Sequence, residues 1–376
     1  MATIEESLAM HPGFYIREEM EARGWIQRDL AFILGCKEQA VNPILSGKRG
    51  ISPGMAKALG NAFDVPAEFF LNLQKQYELA QAQEPSPGVA IRAKIQASYP
   101  VREMIKREWI VDTDAVLLEA QLVRFFEVQT VGEIPYLAHA PKKSRHEERE
   151  IPPAQLAWLF RVRQMAKAIS VARYSEKGLR AAIQRFEGLM INPEDVGQVP
   201  KLLSECGVRF VVVESLQGSK IDGVCFWLDE QSPVIGLSAR YDRIDNFWFV
   251  LRHEAEHVLC CHGRAEEIID DLDGTRGGTG DSLSFDERVA NQEAANFCVP
   301  SGRMESFMLR KHPFYYERDV LAFAALVQRH PGIVVGQMQR RLDNYSYLRR
   351  YQVKVRQFLI PAAMADGWGQ SSSISI

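Results

Sequence analysis

The run His253-Glu254-Ala255-Glu256-His257 places two imidazoles and two carboxylates within five residues. On an α-helix, residues i and i+4 stand about 40° apart and one turn along the axis, so both imidazoles can reach one metal ion. Glu254 falls roughly 100° round the helix from His253, too far to share a ligand direction but within reach of a water on the open side of the metal. A carboxylate so placed is a candidate general base, and metal-assisted peptide hydrolysis is the chemistry this spacing permits. A catalytic zinc keeps three protein ligands and one open position, so a third group must come from further along the chain. Asp270, Asp271 and Asp273 lie in a glycine-rich stretch running to Gly280-Asp281 that reads as a solvated or mobile flap. Glu287 and Glu293 lie on a predicted helix, Asp286 to Val299, whose buried face is marked by Val289, Ala290, Ala294, Phe297 and Cys298. Spacing alone admits either carboxylate. Cys261 reads as a small buried hydrophobe, and His262, beside Gly263, as a capping residue in preference to an oxyanion stabiliser.

The elements around the motif must hold it. Asn246 to Leu251 and Val258 to Cys261 are apolar, so the helix is expected to be buried on most sides, with Asp245 as N-cap and Gly263 as its stop. Buried His and Glu side chains are costly without partners, and a bound metal meets that cost. After Gly207 the pattern changes from helical to extended. Val208 to Glu214, Ile221 to Leu228 and Pro233 to Ser238 read as strands, with Asp229 to Ser232 as the last turn. A small antiparallel sheet over the metal helix is the zincin arrangement, and Pro233 to Ser238 is the candidate edge strand for a substrate peptide.

Helical periodicity dominates the rest. Residues 14 to 79 break into five short helices, the fourth opened by Ser52-Pro53 and the fifth by Asp64-Val65-Pro66. The pair Gln27 to Leu34 and Lys37 to Leu45, with Ala31 and Gly35 small at the turn, has the helix-turn-helix pattern. Lys37, Gln39 and Asn42 are candidates for base edges, and Lys48 and Arg49 for phosphates. Glu38 and Pro43 count against DNA on that helix, as does the balance of eight basic and eight acidic residues over 11–80. Gln81 to Arg92, containing Glu84-Pro85-Ser86-Pro87-Gly88, has linker composition, and residues 100–200 read as a helical connector with the charged stretch Lys142 to Glu150 exposed. The fold class is therefore α+β and mostly helical, in three parts: 1–80, 81–200 and 201–376.

With 46% hydrophobic and 25% charged residues the chain belongs to the ordinary globular class, and its net charge of −3 exerts no global pull on nucleic acid. No stretch reaches the roughly 18 apolar residues of a membrane span, and the N-terminus lacks a secretory pattern. Six scattered cysteines suit reduced thiols in the cytoplasm. A second basic region, Arg340, Arg341, Arg349, Arg350, Lys354 and Arg356, is interleaved with Tyr345, Tyr347 and Tyr351. Either single-stranded DNA binds there as an activator, or the region is a solvated face with its tyrosines packed inward.

Two family resemblances add to this reading. Residues 11–79 resemble the HigA/Xre-type helix-turn-helix proteins at His11-Pro12-Gly13, Gln27 to Ala31, Leu45 to Pro53 and Phe69 to Gln74. Residues from about 207 resemble the ImmA/IrrE-type metallopeptidases at Ile221-Asp222-Gly223, Pro233-Val234-Ile235, Phe247-Trp248-Phe249, His253 to His257 and Glu287-x-x-Ala290-Asn291, running on through His330-Pro331-Gly332 to Asp366-Gly367-Trp368-Gly369. The second resemblance implies that Glu287 is the third ligand, in the manner of the gluzincins, with Zn2+ as the cofactor and Mn2+ as the alternative ion. Glu293 departs from the family, which has Phe there. Together the resemblances imply a homodimeric fused regulator with a double-stranded DNA operator. Its zinc endopeptidase would cut an Xre-type repressor under a stress such as DNA damage, with His253, His257 and Glu287 on the metal and Glu254 as base. The alternative is a regulator or antitoxin whose peptidase-like part only senses or binds a toxin.

Overall fold

Capping groups set the N-terminal helices. The computed structural model describes residues 10–130, 151–263, 268–270 and 285–369. The His11 ring accepts a hydrogen bond from the Gly13 N–H (2.9 Å) and starts α1, Pro12–Ala22. Asp29 accepts from the Ile26 N–H (2.8 Å) at the start of α2, Gln27–Ile33. Gly35, at φ +63°, turns the chain into α3, Glu38–Leu45, as that region of backbone space favours glycine. The Ser52 hydroxyl accepts from the Met55 N–H (3.3 Å) ahead of α4, Pro53–Phe63, and α5 spans Ala67–Gln81. Ile16, Leu30, Val41, Ile44, Leu59, Phe63 and Phe70 fill the centre. Pro43 sits inside α3 without ending it, and its carbonyl accepts from the N–H groups of Lys48 (2.8 Å) and Arg49 (3.0 Å).

The chain divides at Ser86/Pro87 into two compact units, which shortens the expected linker to residues 82–87. The expected connector is not a separate part. Helices Gly88–Ser98, Val101–Lys106, Ala115–Phe125 and Pro153–Lys167 form one core with a face of the sheet, through Leu118, Phe125, Trp158 and Val162. Helices Glu176–Leu189 and Val199–Glu205 join the core on the other face through Leu179, Phe186 and Leu203.

The sheet has strands β1 Arg209–Val213, β2 Gly223–Trp227, β3 Pro233–Leu237, β4 Ile268–Asp270 and β5 Met364–Asp366, in the order β4-β2-β3-β1-β5. It is mixed, correcting the antiparallel expectation: β1 runs parallel to β3 and β5, and β2 antiparallel to β3 and β4. The reason is that the turn Asp229–Ser232 folds β3 back from β2 directly into the space beside β1. Pro233 to Leu237 is consequently interior, with both edges paired, and cannot be the strand that receives a substrate peptide. Alternation along the strands divides the cores. Val211, Val213, Val224, Phe226 and Val234 face the Pro153–Lys167 side, while Phe210, Val212, Cys225, Ile235 and Leu237 face the histidine helix. No helix among the described residues is long and apolar enough to cross a membrane.

The far end of the chain is fastened by a buried ion pair. Arg161 Nε donates to Asp366 Oδ2 (2.7 Å) and Trp109 Nε1 to Asp366 Oδ1 (3.1 Å), with the Arg161 and Asp366 side chains 3% and 1% exposed. Removing one partner of such a pair strands a buried charge. Asp366→Ala is expected to cost about 3–5 kcal/mol of stability in urea unfolding of the full chain; a loss below about 1 kcal/mol, the range of a surface pair, would contradict this account of β5.

Candidate metal centre and DNA-facing residues

The histidine helix, Ile244–Leu259, is buried on nearly every side because its apolar residues serve two faces at once. Its N-cap is Arg243, two residues earlier than expected, and Asp245 in the first turn is paired with the Arg243 guanidinium (2.7 and 3.0 Å). The stop also comes early. Cys261 adopts a left-handed conformation (φ +56°) after the last helical residue, Leu259. Cys260 and Cys261 are exposed, contrary to the expectation for Cys261, and none of the six cysteines forms a disulfide. Burial, then the neighbouring Glu256 carboxylate, raises the Cys260 thiol above its ordinary pKa.

The reversal at Cys261 carries His262 back onto the helix. Its N–H donates to the His257 carbonyl (2.9 Å) and the two Nδ1 atoms are 3.0 Å apart, while His262 Nε2 lies 3.7 Å from Asp286. His262 therefore stands behind His257, on the ring nitrogen that faces away from the other ligands. With the Cys261 N–H on the Val258 carbonyl (3.0 Å), the His262 backbone bond caps the helix C-terminus, as the capping reading expects, and the His262 ring stands where a partner of a metal-bound histidine would. Gly263 (φ +75°) then packs on β2, where an added Cβ would lie 2.7 Å from the Cys225 carbonyl oxygen.

His253, Glu254 and His257 are each 0% exposed. The His253 and His257 Nε2 atoms are 3.0 Å apart, and Glu287 places one oxygen 3.5 Å from the first and the other 3.4 Å from the second. These three residues form a group whose ligand atoms all lie within 4.8 Å of one another. Ligands at zinc bond lengths in a tetrahedron are separated by about 3.3 Å. The spacing and the His2Glu donor set therefore fit Zn2+. Both imidazoles use one helix face, as the i, i+4 argument requires.

Glu287 reaches them from the first turn of helix Phe285–Cys298, whose small buried residues Ala290 and Ala294 let the two helices run close together. Arg252 pairs with Glu256 (2.7 Å) on its own helix and with Glu293 (3.5 Å) across the contact. Glu293, the departure from the resemblance, thus has a cationic partner and is not a ligand. Asp270 lies in β4; Asp271 and Asp273 fall outside the described residues, as does the charged stretch from Lys142.

Glu254 points elsewhere, toward the start of β2. A Cβ added at Gly223 would meet Glu254 Oε1 at 2.1 Å, so this carboxylate fills the space a side chain at 223 would take. Gly223 stands opposite Leu237 and Asp270 in the sheet. Sequence reasoning matched Gly223 only as part of a resemblance; its physical signal is a glycine where the pattern asks for a β-branched residue.

In the first unit, Lys37, Gln39, Asn42, Lys48 and Arg49 are all exposed. Val41, Ile44 and Leu45 take the inward face of α3 and leave Gln39 and Asn42 outward, one turn apart. The Glu38 carboxylate accepts from Arg28 Nε (2.7 Å), which offsets the acid that sequence placed among the DNA candidates. The basic stretch 340–356 does not form a row of stacking rings. Tyr347 donates to the Tyr315 carbonyl (2.6 Å), Tyr351 and Arg350 bind Glu317, and the Tyr347 and Tyr351 rings pack on the core. Tyr345 is 46% exposed.

Comparisons with known proteins bear on the first unit. A family model, HTH_3: Helix-turn-helix, matches residues 16–70. Virulence-associated protein A' of Dichelobacter nodosus is 39% identical over 75 residues, which are 20% of this chain and 65% of that protein. Virulence-associated protein I of the same organism is 32% identical over 87 residues, 23% of this chain and 81% of that protein. Among solved structures, the Pseudomonas aeruginosa antitoxin HigA with the higBA promoter is 40% identical, covering 19% of this chain and 79% of that one at a TM-score of 0.19. This chain thus spans slightly less than two thirds of the first relative and leaves most of its own length unmatched by these three. Residues 16–70 make a helix-turn-helix domain, and through that domain the chain belongs to the helix-turn-helix family.

Proposed function

We propose that this chain is a DNA-binding regulator whose second unit is a zinc-dependent endopeptidase acting on a repressor-type protein in a stress response such as that to DNA damage. The observation that carries the reading is the meeting of His253, His257 and Glu287, with Glu254 buried on the same helix beside Gly223. When bound there, zinc supplies Lewis-acid polarisation of water and of a substrate carbonyl. Glu254 takes a proton from the attacking water as the C–O bond forms, and returns it to the amide nitrogen as the C–N bond breaks. His262 and Asp286 hold the His257 ring, and Arg252 pairs with Glu293 across the contact between the two helices.

The first unit supplies the address. A double-stranded operator is the partner proposed for it, with α3 presenting Gln39 and Asn42 to base edges, Lys37 at its N-cap, and Lys48 and Arg49 on phosphates. The exposure of all five residues and the Arg28–Glu38 pair favour this arrangement. Single-stranded DNA is not retained as an activator, because the two tyrosines nearest Arg349 and Arg350 are committed to the fold.

Two measurements test these halves. In the full-length protein, Glu254→Gln is expected to keep the wild-type zinc content by elemental analysis while slowing cleavage of an Xre-type repressor by about 10²–10⁴-fold; Glu287→Ala is expected to lose the metal. An unchanged rate for Glu254→Gln would favour a regulator or antitoxin whose second unit only binds a toxin or other partner. In gel shifts on the protein's own promoter, a Lys48→Ala/Arg49→Ala variant is expected to bind more weakly on every sequence and to lower the salt slope by about 0.9 per lost phosphate contact. A slope equal to the wild type would remove these residues from the interface.

A further inference from the structure

A cavity of about 460 Å³ opens beside the histidine helix, within the range of small-molecule sites. Three helices wall it, with Asn246 and Phe249 from the histidine helix, Asn291 and Ala295 from helix Phe285–Cys298, and Ile333 and Gly336 from helix Pro331–Leu342. None of the three metal ligands lines it, but it begins one helical turn away. Phe249 is four residues before His253 with the ring centroids 6.4 Å apart, and Asn291 is four residues after Glu287.

Its charge is uneven. Among the described residues Arg243, Arg340 and Arg341 line it with one carboxylate, Asp245. That carboxylate is engaged by Arg243 and sits where a Cβ at Gly336 would be, 2.1 Å from its Oδ2. Arg340 holds its guanidinium over the Phe249 ring (5.7 Å). Arg341 Nη1 approaches the Met308 sulfur at 3.9 Å, and among the described residues no carboxylate comes within ion-pair distance of it. The floor, by contrast, is apolar: Phe249, Ala295 and Ile333. One polar atom between floor and rim, Asn291 Oδ1, is buried without a hydrogen-bond partner among the described residues. Buried polar atoms in native proteins are nearly always paired, so an atom left over in a cavity wall is a place for a ligand group.

We infer that this cavity is a binding site for an amphipathic carboxylate, a flat or branched apolar body lying against Phe249 and Ile333 with its carboxylate at Arg340 and Arg341 and a polar group on Asn291. Arginine at an exposed rim suits a carboxylate through its paired donors. The same chemistry is carried by a free organic acid and by the C-terminal residue of a peptide. The site needs neither the metal nor Glu254, so it stands or falls separately from the peptidase reading.

The test is a calorimetric or ligand-observed NMR titration of the full-length protein with 3-phenylpropionate, its neutral amide, and N-acetylphenylalanine. For a ligand of this size, binding with Kd on the order of 1 mM is expected. The amide should bind roughly ten-fold or more weakly, and Arg340→Gln/Arg341→Gln should weaken the acid by a similar factor while leaving the amide unchanged. Tighter binding of N-acetylphenylalanine than of phenylpropionate would identify a peptide end as the source, and the reverse a free acid. The same affinities should be measured for Glu254→Gln and for metal-stripped protein. Equal binding of acid and amide to the wild type, a comparison that involves no variant, would overturn the proposal, as would no binding of either acid.

Discussion

The contact between the histidine helix and helix Phe285–Cys298 is the constraint on which the chemistry proposed for the second unit depends. Two imidazoles from one helix define a direction but not a site. The site exists because a second helix delivers Glu287 to within 3.5 Å of both ring nitrogens. Small residues at 290 and 294 permit the approach, and Arg252, between Glu256 and Glu293, adds an ion pair across it. A slide by one residue would carry Glu287 about 1.5 Å along the axis and roughly 100° round it. The sheet then fixes the histidine helix from the other side, through Gly263 on β2 and Gly223 under Glu254.

Much of this was legible in the residues. The two histidines share a face because of a spacing that any helix enforces, and the three central strands announce themselves as short runs of β-branched and aromatic residues, buried on both faces. The five N-terminal helices could be placed from their apolar periodicity and the turn residues between them, and the first and fourth also start on side-chain caps, His11 and Ser52. Glu287 and Glu293 could not be separated by spacing alone, since both lie on one helix and only the partner across the contact distinguishes them. Resemblance pointed to Glu287, and the geometry gives the reason: Arg252 claims the other carboxylate.

What sequence could not show was mostly long-range. The parallel pairing of β3 with β1, and of β5 with β1, joins segments with no local signal of direction, and so the candidate edge strand proved to be interior. The connector helices looked like a spacer because their apolar faces carry no hint of which surface they will cover; they cover the sheet. His262 does cap the helix, but its ring contact with His257 had no signal, because a left-handed residue at Cys261, where no glycine announces it, folds the chain back one turn early. Residue type alone makes Asp245 a cap, whereas in the structure its carboxylate pairs with Arg243 and Arg243 holds the N-cap position.

X-ray absorption at the zinc edge of the purified full-length protein tests the central claim most directly. The account predicts one zinc per chain with a first shell of nitrogen and oxygen at about 2.0–2.1 Å, two imidazoles among them, and no sulfur. A sulfur shell at about 2.3 Å, or a protein that retains no zinc with His253, His257 and Glu287 intact, would contradict it.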